Sequence, residues 1–237
     1  MFNKKKVIVI IPVRGGSKGI PRKNLYKIGN DTLLERTIKL AKKCTRVDRV
    51  IVSTDDDEMY AISKKYCVNT KEKRPSYLAS DTASTIDVII HTLEESSIDD
   101  AYVLLLQVTS PLRTLDDLNN LLDSFSNHRD ANAIISMCEH DDPHPAKIQK
   151  IENGFVQSYM GVESMVARQM LPKVYRLNGA FYLTHLDIIK SKRSFFTNKT
   201  MPYIMPPERS INLDTMNDLY LLESLIDKGI VNVENEK

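Results

Sequence analysis

Cysteine is scarce in this chain of 237 residues: only Cys44, Cys67 and Cys138, far apart, with no CxxC pair and no adjacent histidine pattern. That excludes a disulfide framework or a cysteine-rich zinc site as the organising feature, and free thiols in a reducing compartment are the simplest account. No apolar run approaches the ~20 residues needed to cross a bilayer. The start, MFNKKKVIVII, is basic and then apolar, but a proline and an arginine soon follow and no small-residue cleavage site does. It reads as a strand and not as a signal peptide. A cytoplasmic protein with no membrane partner is the expectation. Charge of one sign is also lacking, because 33 Lys and Arg stand against 31 Asp and Glu for a formal net charge of +2. That balance carries no footprint of a nucleic-acid polymer as partner. The five histidines, His91, His128, His140, His144 and His185, form no nucleophile or metal pairing.

Glycine is sparse as well, eight residues in all, yet three of them fall in VRGGSKGIPRKN, Val13 to Asn24, together with a serine and four cations. This segment follows the β-branched run VIVIIPV, Val7 to Val13. Such a run reads as a buried strand of a parallel sheet, with the loop at its carboxyl end, where ligands bind in open α/β sheets. Glycine lets backbone N–H groups approach an anion, and Arg14, Lys18, Arg22 and Lys23 add charge, so the loop suits a polyphosphate. Neither G-x-x-x-x-G-K-[ST] nor G-x-G-x-x-G fits the spacing of Gly15, Gly16 and Gly19, which argues against a P-loop ATPase and a Rossmann dehydrogenase. On local pattern alone a solvated basic turn also fits.

Along the chain, helical spacing in TLLERTIKLAKKC is followed by the strand DRVIVST and the acidic run Asp55 to Glu58. Carboxylates at the start of EMYAISKKY offset a helix dipole, so this run is left out of the site. LASDTASTIDVIIHTLEE has a helix-start signal at Ser80 to Thr85, AYVLLLQVTS is a buried strand, and Thr114 caps a helix in TLDDLNNLLDSF. ANAIISMC is the next strand, VYRLNGAFYLTHLDIIKS is a strand and a short helix, and NDLYLLESLIDKG is a final helix. Strands alternating with helices predict an α/β fold with a doubly wound, mainly parallel sheet. From about Glu139 the composition turns polar and proline-rich and includes a hairpin-like IENGF. The expectation is one domain over residues 1–237 with an inserted segment at roughly 139–175.

Taken together, VRGGSKGIPRKN, RPSYLASDTAST, LLQVTSPLR, RQMLPKVYRLNGAFY and INLDT resemble, in order, the motifs of the acylneuraminate cytidylyltransferases, which make CMP-sialic acid and related CMP-nonulosonates. The resemblance runs from about Val7 to Leu222. It implies a Rossmann-like nucleotidyltransferase fold and transfer of CMP from CTP to the anomeric hydroxyl of a nine-carbon 2-keto sugar acid, such as sialic or legionaminic acid, with release of pyrophosphate. In-line attack on an α-phosphate builds charge that fixed cations and a divalent metal stabilise, here Mg²⁺ or Mn²⁺. By resemblance, Arg14, Gly15, Ser17, Lys18, Lys23, Asn24, Arg74, Ser84 and Thr85 bind the nucleotide, with Arg14, Lys23 and Asp214 catalytic. For Ser84 and Thr85 a plain helix cap fits equally well.

The sugar acid falls, by the same resemblance, to Gln107, Arg113, Lys147, Arg168, Arg176, Asn178, Tyr182, Phe195 and Phe196. An arginine matches a planar carboxylate, and a phenylalanine pair suits an N-acyl group that the eight-carbon acid, 3-deoxy-manno-octulosonic acid, lacks. The family's inserted segment reaches across a homodimer, so Lys147, Phe195 and Phe196 are expected to complete a partner's pocket. Met165 hints at a less polar sugar. At the metal the chain departs from the family's Asp-x-Asp, reading Ile211, Asn212, Leu213, Asp214, Thr215. Strand alternation would place Asn212 and Asp214 on one face, with Asp214 the metal ligand, Asn212 a neutral second ligand, and Asp214 or a metal-bound hydroxide the proton acceptor. Two alternatives stand beside this reading: CMP activation of the eight-carbon acid, and a nucleotide-binding homologue without catalysis.

Overall fold

The computed structural model describes residues 5–16, 19–161 and 165–233. The apolar run forms β1 (Val7–Pro12), whose side chains alternate between two cores: Val7, Val9 and Ile11 on one face, Ile8 and Ile10 on the other. Both faces are covered, as the unbroken hydrophobic run requires. A 3-10 turn at Lys23–Leu25 and a short hairpin, β2 (Lys27–Ile28) with β3 (Asp31–Thr32), lead into α1 (Leu33–Lys43). Then come β4 (Arg49–Ser53), α2 (Asp57–Lys65), α3 (Thr85–Glu95), β5 (Tyr102–Leu105), α4 (Leu115–Asn127) and β6 (Ala133–Glu139). A second hairpin, β7 (Gln149–Glu152) with β8 (Phe155–Ser158), precedes β9 (Tyr175–His185), α5 (Leu186–Lys192), β10 (Thr200–Ile204) and α6 (Met216–Asp227).

The main sheet has the order β10-β6-β9-β5-β1-β4. β1 runs parallel to β4 and β5, and β10 parallel to β6, while β9 alone runs antiparallel, between β5 and β6. The mainly parallel α/β sheet expected from the sequence is therefore present, with one reversed strand. Leu33, Leu34 and Ile38 of α1, Leu118, Leu121 and Leu122 of α4, and Leu219 and Leu222 of α6 cover one face. Ile89 and Leu93 of α3 with Leu186 and Ile189 of α5 cover the other. Three helix starts carry reciprocal capping boxes, Thr32 with Glu35, Thr114 with Asp117 and Thr215 with Asp218, each satisfying backbone donors that the first turn leaves open.

Asp56 caps α2 by accepting from Met59 N, and Asp57 and Glu58 occupy its first turn, so most of the acidic run serves the helix. IENGF forms the β7–β8 hairpin, and Asn153 and Gly154 both take positive φ, 53° and 83°. That is the backbone of a type I′ turn, which matches the twist of the flanking strands. Segment 211–215 is extended but joins no strand. Leu213 N donates to Thr109 O at 2.8 Å, and Ile211 and Leu213 are buried. Alternation nevertheless puts Asn212 and Asp214 together on the outward side, within hydrogen-bond distance.

Candidate active site

Beyond the carboxyl ends of β1 and β5 lies a cleft of about 550 Å³, lined among others by Arg14, Gly16, Gly19, Lys23, Asn24, Arg74, Ser80, Asp81, Thr85, Gln107, Asn212 and Asp214. Its floor is the glycine-containing loop after β1 and its walls are the start of α3, the segment after β5 and segment 211–215. Gly19 is where loop and segment touch. A Cβ there would overlap the carbonyl oxygen of Asp214 and lie 3.2 Å from its carbonyl carbon. Only glycine allows backbone to approach backbone this closely.

Among the described residues, each cation lining the cleft already holds a partner. Arg14 pairs with Asp81 at 2.9 Å and donates to Ser80 O at 3.3 Å. Lys23 Nζ donates to Asp214 Oδ1 at 3.1 Å and to Leu213 O. The buried guanidinium of Arg74 donates from Nε to Ser53 Oγ at 3.1 Å, and from Nη2 to Val13 O at 3.0 Å and to Ser53 O. It thereby joins the ends of β1 and β4. Burial pushes the Arg74 pKa down to about 10, with nearby Arg14 acting the same way and Asp55 opposing, so at neutral pH it still carries its proton. Asn24 is buried and fixes the loop through Nδ2 to Arg14 O at 3.0 Å. Gly15 N donates to Asp55 Oδ1 at 3.1 Å, so a loop amide already binds a carboxylate.

Of the residues expected from the sequence, Arg14, Lys23, Asn24, Arg74, Thr85, Gln107, Asn212 and Asp214 line this cleft, and Gly15 sits beside it in the loop. Ser17 and Lys18 lie outside the described residues. Ser84 accepts from Ile86 N at 3.1 Å and is the cap of α3. Several residues expected at the sugar do not line this cleft. Arg113 is 2% exposed, and its guanidinium donates to Ala180 O at 2.5 Å and to Gln107 O and stands 5.8 Å over the Phe181 ring. It is an internal strut between the segment after β5 and β9, because buried carbonyls there need donors.

Asn178 is a fully buried hub, accepting from Ser136 Oγ at 2.6 Å and donating to Ser210 Oγ at 3.0 Å. Arg176 is half-buried on Ser210 O at 3.0 Å, and Lys147 donates to Val166 O at 2.7 Å. Arg168 lies in a 3-10 turn, Arg168–Met170, and its side chain lies outside what is described. Tyr182 packs on Phe195 at 5.8 Å, and Phe195 is buried in its own chain's core, whereas Phe196 is 51% exposed. Apolar burial favours the core for Phe195 over any outward role.

The sequence reading did not single out Gly19, Asp81 or Thr109. For Gly19 the signal was the glycine-rich loop itself. Asp81 lay within the quoted SDTAST, but only the fold brings it onto Arg14. Asn212 and Asp214 bear on a metal. Asn212 Nδ2 donates to Asp214 Oδ2 at 2.6 Å, and the reverse amide orientation would set two acceptors against each other. Asn212 Oδ1 is buried and has no partner among the described residues. Asp214 is thus a fitting ligand for a divalent ion shared with phosphates, while Asn212 turns a donor, and no oxygen, toward that position.

Comparisons with known proteins give the chain's family and fold. A family model described as cytidylyltransferase matches residues 8–223. An N-acylneuraminate cytidylyltransferase of Streptococcus agalactiae serotype V is 31% identical over 216 residues, 90% of this chain and 51% of that protein, so the chain spans about half the length of this relative. A CMP-N,N'-diacetyllegionaminic acid synthase of Legionella pneumophila is 26% identical over 228 residues, 94% of this chain and 97% of its own. The solved structure of CMP:2-keto-3-deoxy-manno-octonic acid synthetase complexed with CTP has the same fold, with a TM-score of 0.67 at 14% identity, covering 94% of this chain and 99% of that one.

Proposed function

The chain belongs to the cytidylyltransferase family, and we propose from that premise that it transfers CMP from CTP to the anomeric hydroxyl of a nine-carbon 2-keto sugar acid. The observation that carries this is the convergence of Arg14, Lys23 and Arg74 on one cleft at the carboxyl end of β1, beside an exposed Asp214. The anomeric oxygen attacks the α-phosphorus, the α–β phosphoanhydride bond breaks, pyrophosphate leaves and the hydroxyl proton passes to a base. Arg14 and Lys23 oppose the charge of the triphosphate as it shifts toward the leaving group. In exchange they release Asp81 and Asp214. Arg74, held by three bonds through Nε and Nη2 and lining the cleft, reads the base. Gln107 orients the sugar acid, and Asp214 accepts the proton.

A divalent ion, Mg²⁺ or Mn²⁺, would be held by Asp214 with the phosphates and would supply charge neutralisation at the α-phosphate. The names of the relatives favour a nonulosonate, and among those matched over nearly their full length one is named for a legionaminic acid and another for pseudaminic acid. The protein acts in the cytoplasm as a homodimer, with the β7–β8 hairpin, where Ile151, Phe155 and Val156 are exposed, as the arm that meets the partner. Among the described residues no helix is long and apolar enough to cross a membrane. Asn212 favours one second reading, nucleotide binding without transfer, because it withholds a carboxylate from the metal. Mass spectrometry of the products of CTP and N,N'-diacetyllegionaminic acid separates the two. The proposal expects a CMP-sugar with the wild type and almost none with Asp214→Ala, and normal turnover by that variant would remove Asp214 from the mechanism.

A further inference from the structure

We propose that Asn212 makes metal capture in this cleft conditional on bound nucleotide, an inference that rests on the cleft being a CTP site. Both oxygens of the Asp214 carboxylate already have donors, Asn212 Nδ2 at 2.6 Å on Oδ2 and Lys23 Nζ at 3.1 Å on Oδ1. Its backbone N–H is fixed on Asp218 Oδ2 at 3.0 Å. The carboxylate is thus oriented and neutralised with no divalent ion. A carboxylate at position 212 would set two like charges within hydrogen-bond distance, an arrangement that a cation or a shared proton between them relieves. The amide removes that demand.

The remaining Asn212 atom is no substitute ligand. Oδ1 is buried without a partner among the described residues and faces Gly179, where a Cβ would stand 3.3 Å away. Gly179 has φ +75°, and Gln107 Oε1 crowds the same position, so the buried oxygen is hemmed in beside Gly179 and Gln107. No group of three or more His, Cys, Asp and Glu among the described residues is disposed to hold an ion. Divalent ions of this kind bind through one or two carboxylates plus phosphate oxygens. With one carboxylate, and that one engaged, the phosphates must provide most of the coordination. The ion therefore enters with the triphosphate, and the same event releases Lys23 from Asp214 to the phosphates. Asn212 acts through Asp214 and is a positioning residue.

The test reads Mn²⁺ uptake from the electron paramagnetic resonance signal of free Mn²⁺, with CTP binding followed separately by equilibrium dialysis without metal. The wild type is expected to leave the free-ion signal unchanged until CTP is added. N212D, its fold checked by circular dichroism, is expected to bind Mn²⁺ alone about tenfold or more tightly than the wild type, since ligand charge sets affinity. N212S, which adds no charge, should stay nucleotide-dependent. Tight Mn²⁺ uptake by the wild type without CTP, or no gain in a folded N212D, would overturn the inference and leave the CTP site standing. Failure of the wild type to bind CTP in the dialysis, repeated with Mn²⁺ present, would overturn the site and the inference together.

Discussion

Substituting Gly19 by alanine presses a methyl group into the backbone of segment 211–215. The new Cβ would overlap Asp214 O, lie 3.2 Å from its carbonyl carbon and 3.9 Å from Thr215 Cα. These are backbone atoms, so no flexible side chain can swing aside. Overpacking of this kind destabilises by about 1–3 kcal/mol, which in a protein of this size lowers the melting temperature by roughly 2–12 °C. Relief requires the loop and the segment to separate, which lengthens the 3.1 Å contact of Lys23 with Asp214 and pulls both residues from their places in the cleft. CTP affinity should then fall by roughly 10- to 150-fold, one hydrogen bond to a charged group being worth about 1.5–3 kcal/mol. Gly16 supplies the control, because a Cβ there meets nothing within 4 Å among the described residues and G16A should keep the wild-type melting temperature. Differential scanning calorimetry and equilibrium dialysis with CTP measure the two effects. A G19A protein that melts and binds CTP like the wild type would refute the claim that this contact aligns the cleft.

Other outcomes follow from the same geometry. Arg113→Ala should destabilise the fold by about 2–6 kcal/mol, from two carbonyls, Ala180 O and Gln107 O, each losing a donor worth about 1–3 kcal/mol. Urea denaturation checks it, and unchanged stability with weakened sugar binding would instead make Arg113 a ligand. Hydrogen bonds from Thr215 N and Oγ1 and from Asp214 N hold the Asp218 carboxyl below its ordinary value of 3.8, although its burial pushes the other way. Because that value is depressed, its stabilisation is complete above 3.8 and is lost as pH falls through the lower folded value. D218N should melt lower than the wild type near neutral pH, by about 0.5–2 kcal/mol of capping energy, and the gap should close in acid. A gap that persists in acid would contradict the assignment.

Much of this architecture was legible because periodicity reports burial directly: the run Val7–Pro12 and the capped helices are where the pattern put them. The edge strand β10 escaped notice because Pro202 sits in the middle of TMPYI, a pattern that argues against a strand unless it lies at an edge. The reversal of β9 was invisible because direction is decided by how the chain returns after residues 139–175, which no local pattern encodes. The cleft was partly legible. A glycine-rich basic loop behind a buried strand marks a ligand site, and Arg14, Lys23 and Arg74 are there. Arg113, Asn178 and Phe195 are assigned to the sugar by resemblance, and each is buried in the structure among groups of its own chain. Only their three-dimensional neighbours separate a ligand from a core residue.

The most direct test of the account is pyrophosphate release with CTP and Mg²⁺ in parallel reactions containing N-acetylneuraminic, N,N'-diacetyllegionaminic, pseudaminic and 3-deoxy-manno-octulosonic acids. The account predicts release with a nine-carbon acid and none with the eight-carbon one. Silence across the whole panel from a folded protein that binds CTP, or release with the eight-carbon acid alone, would contradict it.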